Sequence, residues 1–293
     1  MKELVVISGK GGTGKTSLTA SFAALAERPV VADCDVDAAD LHLVLSPHVR
    51  ERHEFWSGYE ASIRPEDCNG CGVCSAYCRF GAVEARDGPA GRRLFSIDPG
   101  LCDGCRVCVR FCPEGAIDFR ERLCGEWMVS DTRCGTMVHA RLGVAAENSG
   151  KLVSIVRREA RRIAEERGAS VVIVDGPPGI GCPVIASLTG ASSAVVVTEP
   201  TVSGEHDLER VLSLTRHFAI PTAVCVNKWD INAGMTERIE DAARRAGALV
   251  PGRIRYDGAV TAAQMRGLTA VETEAPCAAD IRRIWHQLGL QEV

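Results

Sequence analysis

Ser8-Gly9-Lys10-Gly11-Gly12-Thr13-Gly14-Lys15-Thr16 follows the apolar run Leu4-Val5-Val6-Ile7 and precedes an amphipathic stretch over 16–27. A strand, a glycine-rich turn and a helix start in that order are the setting of a phosphate-binding loop. The glycines let backbone N–H groups turn inward on phosphate oxygens, and the helix N-terminus adds partial positive charge. In such a loop Lys15 reaches the β- and γ-phosphates and the Thr16 hydroxyl ligates Mg²⁺. Gly9, Lys10, Gly11, Gly12, Thr13, Gly14 and Ser17 complete the candidate nucleotide cradle. A glycine-rich turn with a chance lysine is the competing reading, and the strand–helix setting speaks against it.

Working outward, Val30-Val31-Ala32, Val171-Val172-Ile173-Val174, Ala194-Val195-Val196-Val197 and Ala223-Val224-Cys225-Val226 are continuous β-branched runs. Such runs suit a parallel sheet covered on both faces. Helical stretches over 152–167, 205–217 and 235–246 alternate with them, which predicts a doubly wound, mostly parallel α/β fold. The alternation lapses from about Ser57 to Glu121, where cysteine, glycine and short strand-like pieces dominate and Asp87-Gly88 suits a hairpin. A small α+β domain inserted at 57–121 explains the lapse, leaving 1–56 and 122–293 as one discontinuous P-loop domain.

The 293 residues are 46% hydrophobic and 25% charged, an ordinary globular balance, and the net charge of −4 gives no support for binding nucleic acid. The apolar run before Gly9 is too short for a secretory signal. No window reaches the roughly 18 to 20 apolar residues of a membrane span. The expected location is the cytoplasm, where metal ligation is the better default for fourteen cysteines than disulfide formation.

Lys10 makes the loop more specific. Lys-Gly-Gly-x-Gly-Lys-Thr resembles the deviant Walker A motif of the MinD/ParA superfamily of ATPases, which includes the nitrogenase iron protein. The resemblance implies ATP as ligand and a nucleotide-dependent homodimer in which Lys10 reaches the partner's nucleotide. Ala32-Asp33-Cys34-Asp35 resembles the first switch of that family, with Asp35 positioning the attacking water. Val174-Asp175-Gly176-Pro177-Pro178-Gly179 resembles the second switch, with Asp175 as the Walker B-type carboxylate. Thr16, Asp33 and Asp175 are then the expected magnesium ligands and Lys10, Lys15 and Asp35 the catalytic set. Each of the three carboxylates is expected at the end of a buried strand, where ligands collect in open α/β sheets.

Asn227-Lys228-Trp229-Asp230 resembles the Asn-Lys-x-Asp that reads guanine in GTPases, while MinD-like relatives carry an asparagine there and bind adenine. Asn227 and Asp230 are the candidate base-reading residues, with ATP favoured and a GTP-specific switch as the alternative. Arg255-Tyr256-Asp257 resembles a later loop flanking the base, although the family usually has proline where Arg255 stands.

The cysteines form an internal repeat. Cys68-x2-Cys71-x2-Cys74-x3-Cys78 recurs as Cys102-x2-Cys105-x2-Cys108-x3-Cys112, with Gly70 matching Gly104 and Gly81-Ala82-Val83 matching Gly115-Ala116-Ile117. A zinc ribbon uses two Cys-x2-Cys pairs and leaves the third and fourth cysteines of each run unexplained. The runs resemble bacterial dicluster ferredoxins, which implies two [4Fe–4S] clusters whose fourth ligands are exchanged between runs. One cluster would take Cys68, Cys71, Cys74 and Cys112, the other Cys102, Cys105, Cys108 and Cys78. The second run ends in Cys112-Pro113 as that pattern expects, and the first departs from it with Cys78-Arg79.

Gly135-Thr136-Met137-Val138-His139-Ala140-Arg141-Leu142 and Glu147-Asn148-Ser149-Gly150-Lys151 resemble signatures of MinD-like ATPases that carry inserted ferredoxin domains. Ser149 is a candidate N-cap for the helix that follows. Because the insert lies between the two switches, nucleotide state could be transmitted to the clusters. The expected function is an ATP-hydrolysing iron–sulfur protein that couples nucleotide state to electron transfer or to docking of a redox or iron–sulfur partner. An iron–sulfur carrier or assembly ATPase is the alternative, and neither membrane nor nucleic acid is an expected partner.

Overall fold

In a computed structural model the described residues are 1–88, 91–143, 146 and 149–290. The chain divides into two compact units. The first comprises Met1–His53, Trp127–Arg141 and Ser149–Val293, the second Glu54–Glu126 and Leu142–Asn148.

In chain order the elements begin with β1 (Lys2–Ser8), α1 (Lys15–Leu25), β2 (Val30–Asp33), α2 (Leu41–Leu45) and β3 (His48–Ile63). Then come α3 (Val73–Tyr77), β4 (Val83–Asp87), β5 (Arg93–Ile97), α4 (Val107–Phe111), β6 (Ile117–Thr132) and β7 (Gly135–Leu142). Strands and helices then alternate strictly: α5 (Ser149–Arg167), β8 (Val171–Pro178), α6 (Cys182–Leu188), β9 (Ser193–Thr198) and α7 (Val202–His217). The last are β10 (Thr222–Asn227), α8 (Ala233–Arg245), β11 (Leu249–Ile254), α9 (Ala259–Gln264) and α10 (Pro276–Gln287).

The sheet order is β11-β10-β9-β1-β8-β2-β7-β6-β3, and every pairing from β11 through β7 is parallel. The β-branched runs become its buried centre, β1, β8 and β9 being almost wholly shielded. Successive side chains of a strand point to opposite faces. On one face Leu4 and Val6 join Leu18 and Phe22 of α1 and Ile281, Ile284 and Trp285 of α10 in a single core. Phe22 and Trp285 meet tilted, with ring centroids 5.1 Å apart. The C-terminal apolar stripe is therefore buried on the sheet.

Two expectations need correction. Asp175 does not end its strand: β8 runs on to Pro178, which pairs with Ser8 of β1. Ser149 lies within α5 rather than capping it, and Asn148 before it lies outside the described residues. The second unit, Glu54–Glu126 with Leu142–Asn148, has its first two bounds within β3 and β6, where 57 and 121 also lie.

The second unit repeats itself in conformation as it does in sequence. The short helices α3 and α4 each open directly after a left-handed residue, Gly72 at φ 76° and Arg106 at φ 66°. Gly70 and Gly104 are both left-handed, and a Cβ would meet a carbonyl oxygen at 2.3 Å in either place, that of Arg93 or of Tyr59. Only glycine satisfies both conditions at once. The antiparallel pair β4–β5 forms the expected hairpin, and Pro89 and Ala90 of its loop lie outside the described residues.

Candidate nucleotide site and cysteine cavities

β1 delivers the chain to the glycine-rich loop, and α1 begins at Lys15 with left-handed Gly14 before it. At Gly14 a Cβ would stand 2.3 Å from the Asn227 amide nitrogen, so this close approach requires glycine as much as its φ of 88° does. The Asn227 Nδ2–H donates to the Thr13 carbonyl at 2.8 Å, fastening β10 to the loop.

Three carboxylates converge beside the loop. Asp33 and Asp175 are register partners on β2 and β8, and Asp35 follows two residues after Asp33 and donates its N–H to the Asp33 carboxylate at 3.2 Å. Lys15 Nζ lies 3.0 Å from Asp175 and 3.4 Å from Asp35. Thr16 and Thr19 donate to the two oxygens of Asp175 at 2.8 and 2.7 Å. Burial alone would lower the Lys15 pKa, but Asp175, Asp35 and Asp33 outweigh it and the value is raised. Burial, reinforced by Asp175, raises Asp33 well above the carboxylate range, and burial raises Asp35 against the pull of Lys15. One ammonium thus faces three buried carboxylates, and Asp33 Oδ2 has no hydrogen-bond partner. An orphaned carboxylate oxygen beside a threonine hydroxyl and a second aspartate is the hard-oxygen donor set that suits Mg²⁺.

Lys10 is held by groups remote in sequence. Its Nζ approaches Ser203 Oγ at 3.1 Å, Thr201 Oγ1 at 3.4 Å and the Glu199 carboxylate at 3.7 Å. Glu199 also pairs closely with Lys228, whose Nζ reaches the Gly12 carbonyl at 3.4 Å. Lys10 and Lys228 therefore share one carboxylate on the strand-end side of the loop.

A cleft beside the loop is lined by Gly12, Gly14, Ser17, Asn227, Tyr256 and Gln264 among others. Gln264 donates to Ser17 Oγ at 2.8 Å. Asp230 accepts the Tyr256 N–H at 2.7 Å, which commits one of its oxygens to the loop. Arg255 turns back to form a two-point ion pair with buried Asp280 at 2.7 and 2.9 Å. That pairing is a structural reason for arginine where the resembling family usually has proline.

In the second unit, Cys68, Cys71, Cys74 and Cys112 line one small cavity. A separate small cavity is lined by Cys78, Cys102, Cys105 and Cys108. Each set takes three cysteines from one run and the fourth from the other. Burial raises the thiol pKa of Cys74, and it pushes Cys108 up to about 11, with Cys102, Cys105 and Cys74 adding repulsion. Ala116 donates its N–H to Cys112 Sγ at 3.4 Å. Among the described residues no three His, Cys, Asp or Glu side chains are placed to hold one metal ion. Four thiolates on a single zinc at 2.3 Å would stand about 3.8 Å apart.

Among the remaining cysteines, Cys34, Cys124 and Cys225 have ordinary packing explanations. Cys34 and Cys225 are fully buried, with thiol pKa values pushed upward by burial. Cys124 is buried and donates to the Ser57 carbonyl at 3.0 Å, and Cys182 is exposed at the start of α6.

The sequence profile of the CobQ/CobB/MinD/ParA nucleotide binding domain matches residues 4–270. The chain belongs to that family. An uncharacterized protein of Methanocaldococcus jannaschii, MJ0578, is 33% identical over 235 residues, covering 78% of this chain and 79% of the relative. The cell division ATPase MinD of Pyrococcus furiosus shares the fold with a TM-score of 0.59 at 17% identity, over 98% of both chains. Septum site-determining MinD of Pyrococcus horikoshii, solved with Mg-ADP, has a TM-score of 0.58 at 15% identity over 98% of this chain and 95% of its own. At these identities the two structures speak for the fold alone.

Within this MinD/ParA-type fold several site residues carry no motif of their own. Thr19 lies one helical turn after Lys15, so a polar residue on the loop-facing side of α1 was the available signal. Glu199, Thr201 and Ser203 directly follow the end of β9, and strand ends are where such folds gather ligands. Lys151 and His139 both have interacting partners. His139 pairs in register with Asp33 and shares a hydrogen bond of 2.8 Å with buried Ser130.

Proposed function

We propose that the chain binds and hydrolyses ATP with Mg²⁺, dimerises when loaded, and couples nucleotide state to two [4Fe–4S] clusters in the second unit. The observation that carries this reading is the sorting of eight cysteines into two cavities, each completed by a cysteine from the other run, in a chain whose first unit presents a buried lysine–carboxylate phosphate site.

Thr16 and Asp175, with the orphaned oxygen of Asp33, would hold Mg²⁺, which when bound supplies charge neutralisation at the phosphates. Lys15 exchanges its carboxylates for phosphate oxygens as nucleotide enters. Backbone N–H groups of 11–16 cradle the phosphates, and Asp35 orients the attacking water. Lys10 must leave Glu199 and Ser203 to reach a nucleotide across a dimer interface. Asn227 and Tyr256 flank the base, and the commitment of an Asp230 oxygen to the Tyr256 amide favours adenine over guanine. The eight cysteines would ligate the clusters, which when bound supply one-electron redox chemistry. The insert's position between the two switches is the basis for coupling.

Anaerobically purified protein should hold about eight irons per chain with matching acid-labile sulfide. It should hydrolyse ATP, and the Asp35→Ala variant should bind ATP, accumulate as a dimer and lose turnover. Zinc in place of iron would overturn the cluster reading. A nucleotide-independent monomer would overturn the shared-site reading.

A further inference from the structure

The surface of the second unit is apolar in one place and cationic around it. Tyr77 and Phe111, the last residues of α3 and α4, stack with centroids 4.6 Å apart and planes within 7°. They nonetheless stay 55% and 47% exposed. Phe80, also exposed, lines the second cysteine cavity beside Tyr77 and Cys78. Exposed Leu101 continues the patch next to Cys102. A contiguous apolar patch held in place by stacking marks an interaction site more often than scattered exposed residues do.

The charges around it are as selective. Arg64, Arg86, Arg120 and Arg122 of this unit each pair with a carboxylate. Arg79 and Arg110, exposed and next to the stack in the chain, have no carboxylate partner among the described residues. Asp103 and Arg106 both line the second cavity, so their formal charges there sum to zero. The rim of the patch is therefore left with unspent positive charge.

We propose that this face docks an acidic one-electron carrier protein of the flavodoxin or ferredoxin class, close to the cavity of Cys78, Cys102, Cys105 and Cys108. The proposal rests on the [4Fe–4S] reading above. An apolar centre with a cationic rim complements an apolar centre with an acidic rim. Rim charges steer the encounter, and the aromatic contact gives the brief complex its orientation. In the exchange the reduced carrier loses one electron and this chain gains it, with no bond formed or broken.

The test uses iron-replete full-length protein and flavodoxin as the probe, with binding followed by calorimetry over a range of salt and reduction by flavodoxin hydroquinone followed by stopped flow. The Arg79→Glu/Arg110→Glu variant should weaken binding about tenfold or more at low salt and flatten the salt dependence. Tyr77→Ala/Phe111→Ala should weaken it at every salt concentration. A charge-matched control, Arg86→Glu/Arg120→Glu, should change neither, and reduction by dithionite should stay constant throughout. Unchanged flavodoxin binding in iron-replete Arg79→Glu/Arg110→Glu overturns the docking face alone, as does an equal loss in the control. Self-association that Tyr77→Ala/Phe111→Ala abolishes would assign the face to a second copy and overturn the proposal. Failure to hold iron overturns the cluster reading instead.

Discussion

The two compact units are held together by different substances. The first buries a hydrocarbon core reaching from Leu4 and Phe22 to Ile284 and Trp285, and its ligand site sits at the edge of that core. The second has a smaller buried cluster of Ala61, Cys74, Phe95 and Ile117, and three of the residues packed against it are the cysteines Cys102, Cys108 and Cys112. Small units that cannot bury enough apolar surface depend on metals or cross-links, and binding free energy is then folding free energy. The first unit should therefore be folded before its nucleotide arrives, whereas the second depends on what its cysteines hold.

Stripping iron should break this symmetry most visibly. Amide exchange across Glu54–Glu126 should accelerate by orders of magnitude while β1, β8 and α1 keep their protection, since a structural metal group contributes on the order of 10 kcal/mol. Equal protection of both units after iron removal would break the comparison. Cys78→Ser should damage the cluster otherwise held by Cys102, Cys105 and Cys108, leaving signals of the other in place.

Next in size is Lys15→Ala. It removes the one ammonium from three buried carboxylates, so nucleotide affinity should fall at least about a hundredfold and apo stability by about 3 kcal/mol. Asp33→Asn should act oppositely on stability. The Asp33 pKa is raised on folding, so its ionisation opposes the folded state. The contribution of Asp33 to apo stability should thus be fully present below its unfolded-state pKa and be lost as pH rises through the raised value. The asparagine variant should lose that decline and gain about 1–2 kcal/mol at neutral pH, while binding Mg-nucleotide more weakly. Denaturant midpoints against pH, without magnesium, measure both.

The smallest effect compares the two halves of the cysteine repeat. Gly72 and Arg106 occupy equivalent left-handed positions, but a non-glycine residue there costs about 1–2 kcal/mol. Arg106 recovers part of this by lying over the Phe119 ring, 5.5 Å from its centroid. Arg106→Gly should stabilise the second unit by about 0.5–1 kcal/mol, read as slower local amide exchange in the iron-loaded protein.

The same contrast governs what could be read from the sequence. Leu4–Ile7, Val171–Val174 and Ala194–Val197 announce buried strands because parallel sheets write continuous β-branched runs. β3 and β6 were missed because their burial is sparse and irregular, with charged residues such as Arg50, Glu51 and Arg52 breaking any period. β11 contains Pro251 and Gly252, which read as a turn. The strand–turn–helix setting of the glycine-rich loop and the repeat of the cysteine runs were legible because both are local in the chain. The partners of Lys10 were not, because Glu199 and Ser203 are brought to it only by the pairing of β1 with β9. Likewise Arg133 bridges the Val44 carbonyl and Glu272, a contact with no sequence signature.

Coupling between nucleotide and clusters is tested most directly by anaerobic potentiometry of the iron-replete protein without nucleotide, with ADP, and with a slowly hydrolysed ATP analogue. A one-electron potential shift of about 59 mV corresponds to a tenfold change in equilibrium. At least one cluster should shift by tens of millivolts between the ADP and ATP-analogue states, and Lys15→Ala should abolish the shift. Identical potentials in all three states, with equal rates of reduction by flavodoxin hydroquinone, would contradict it.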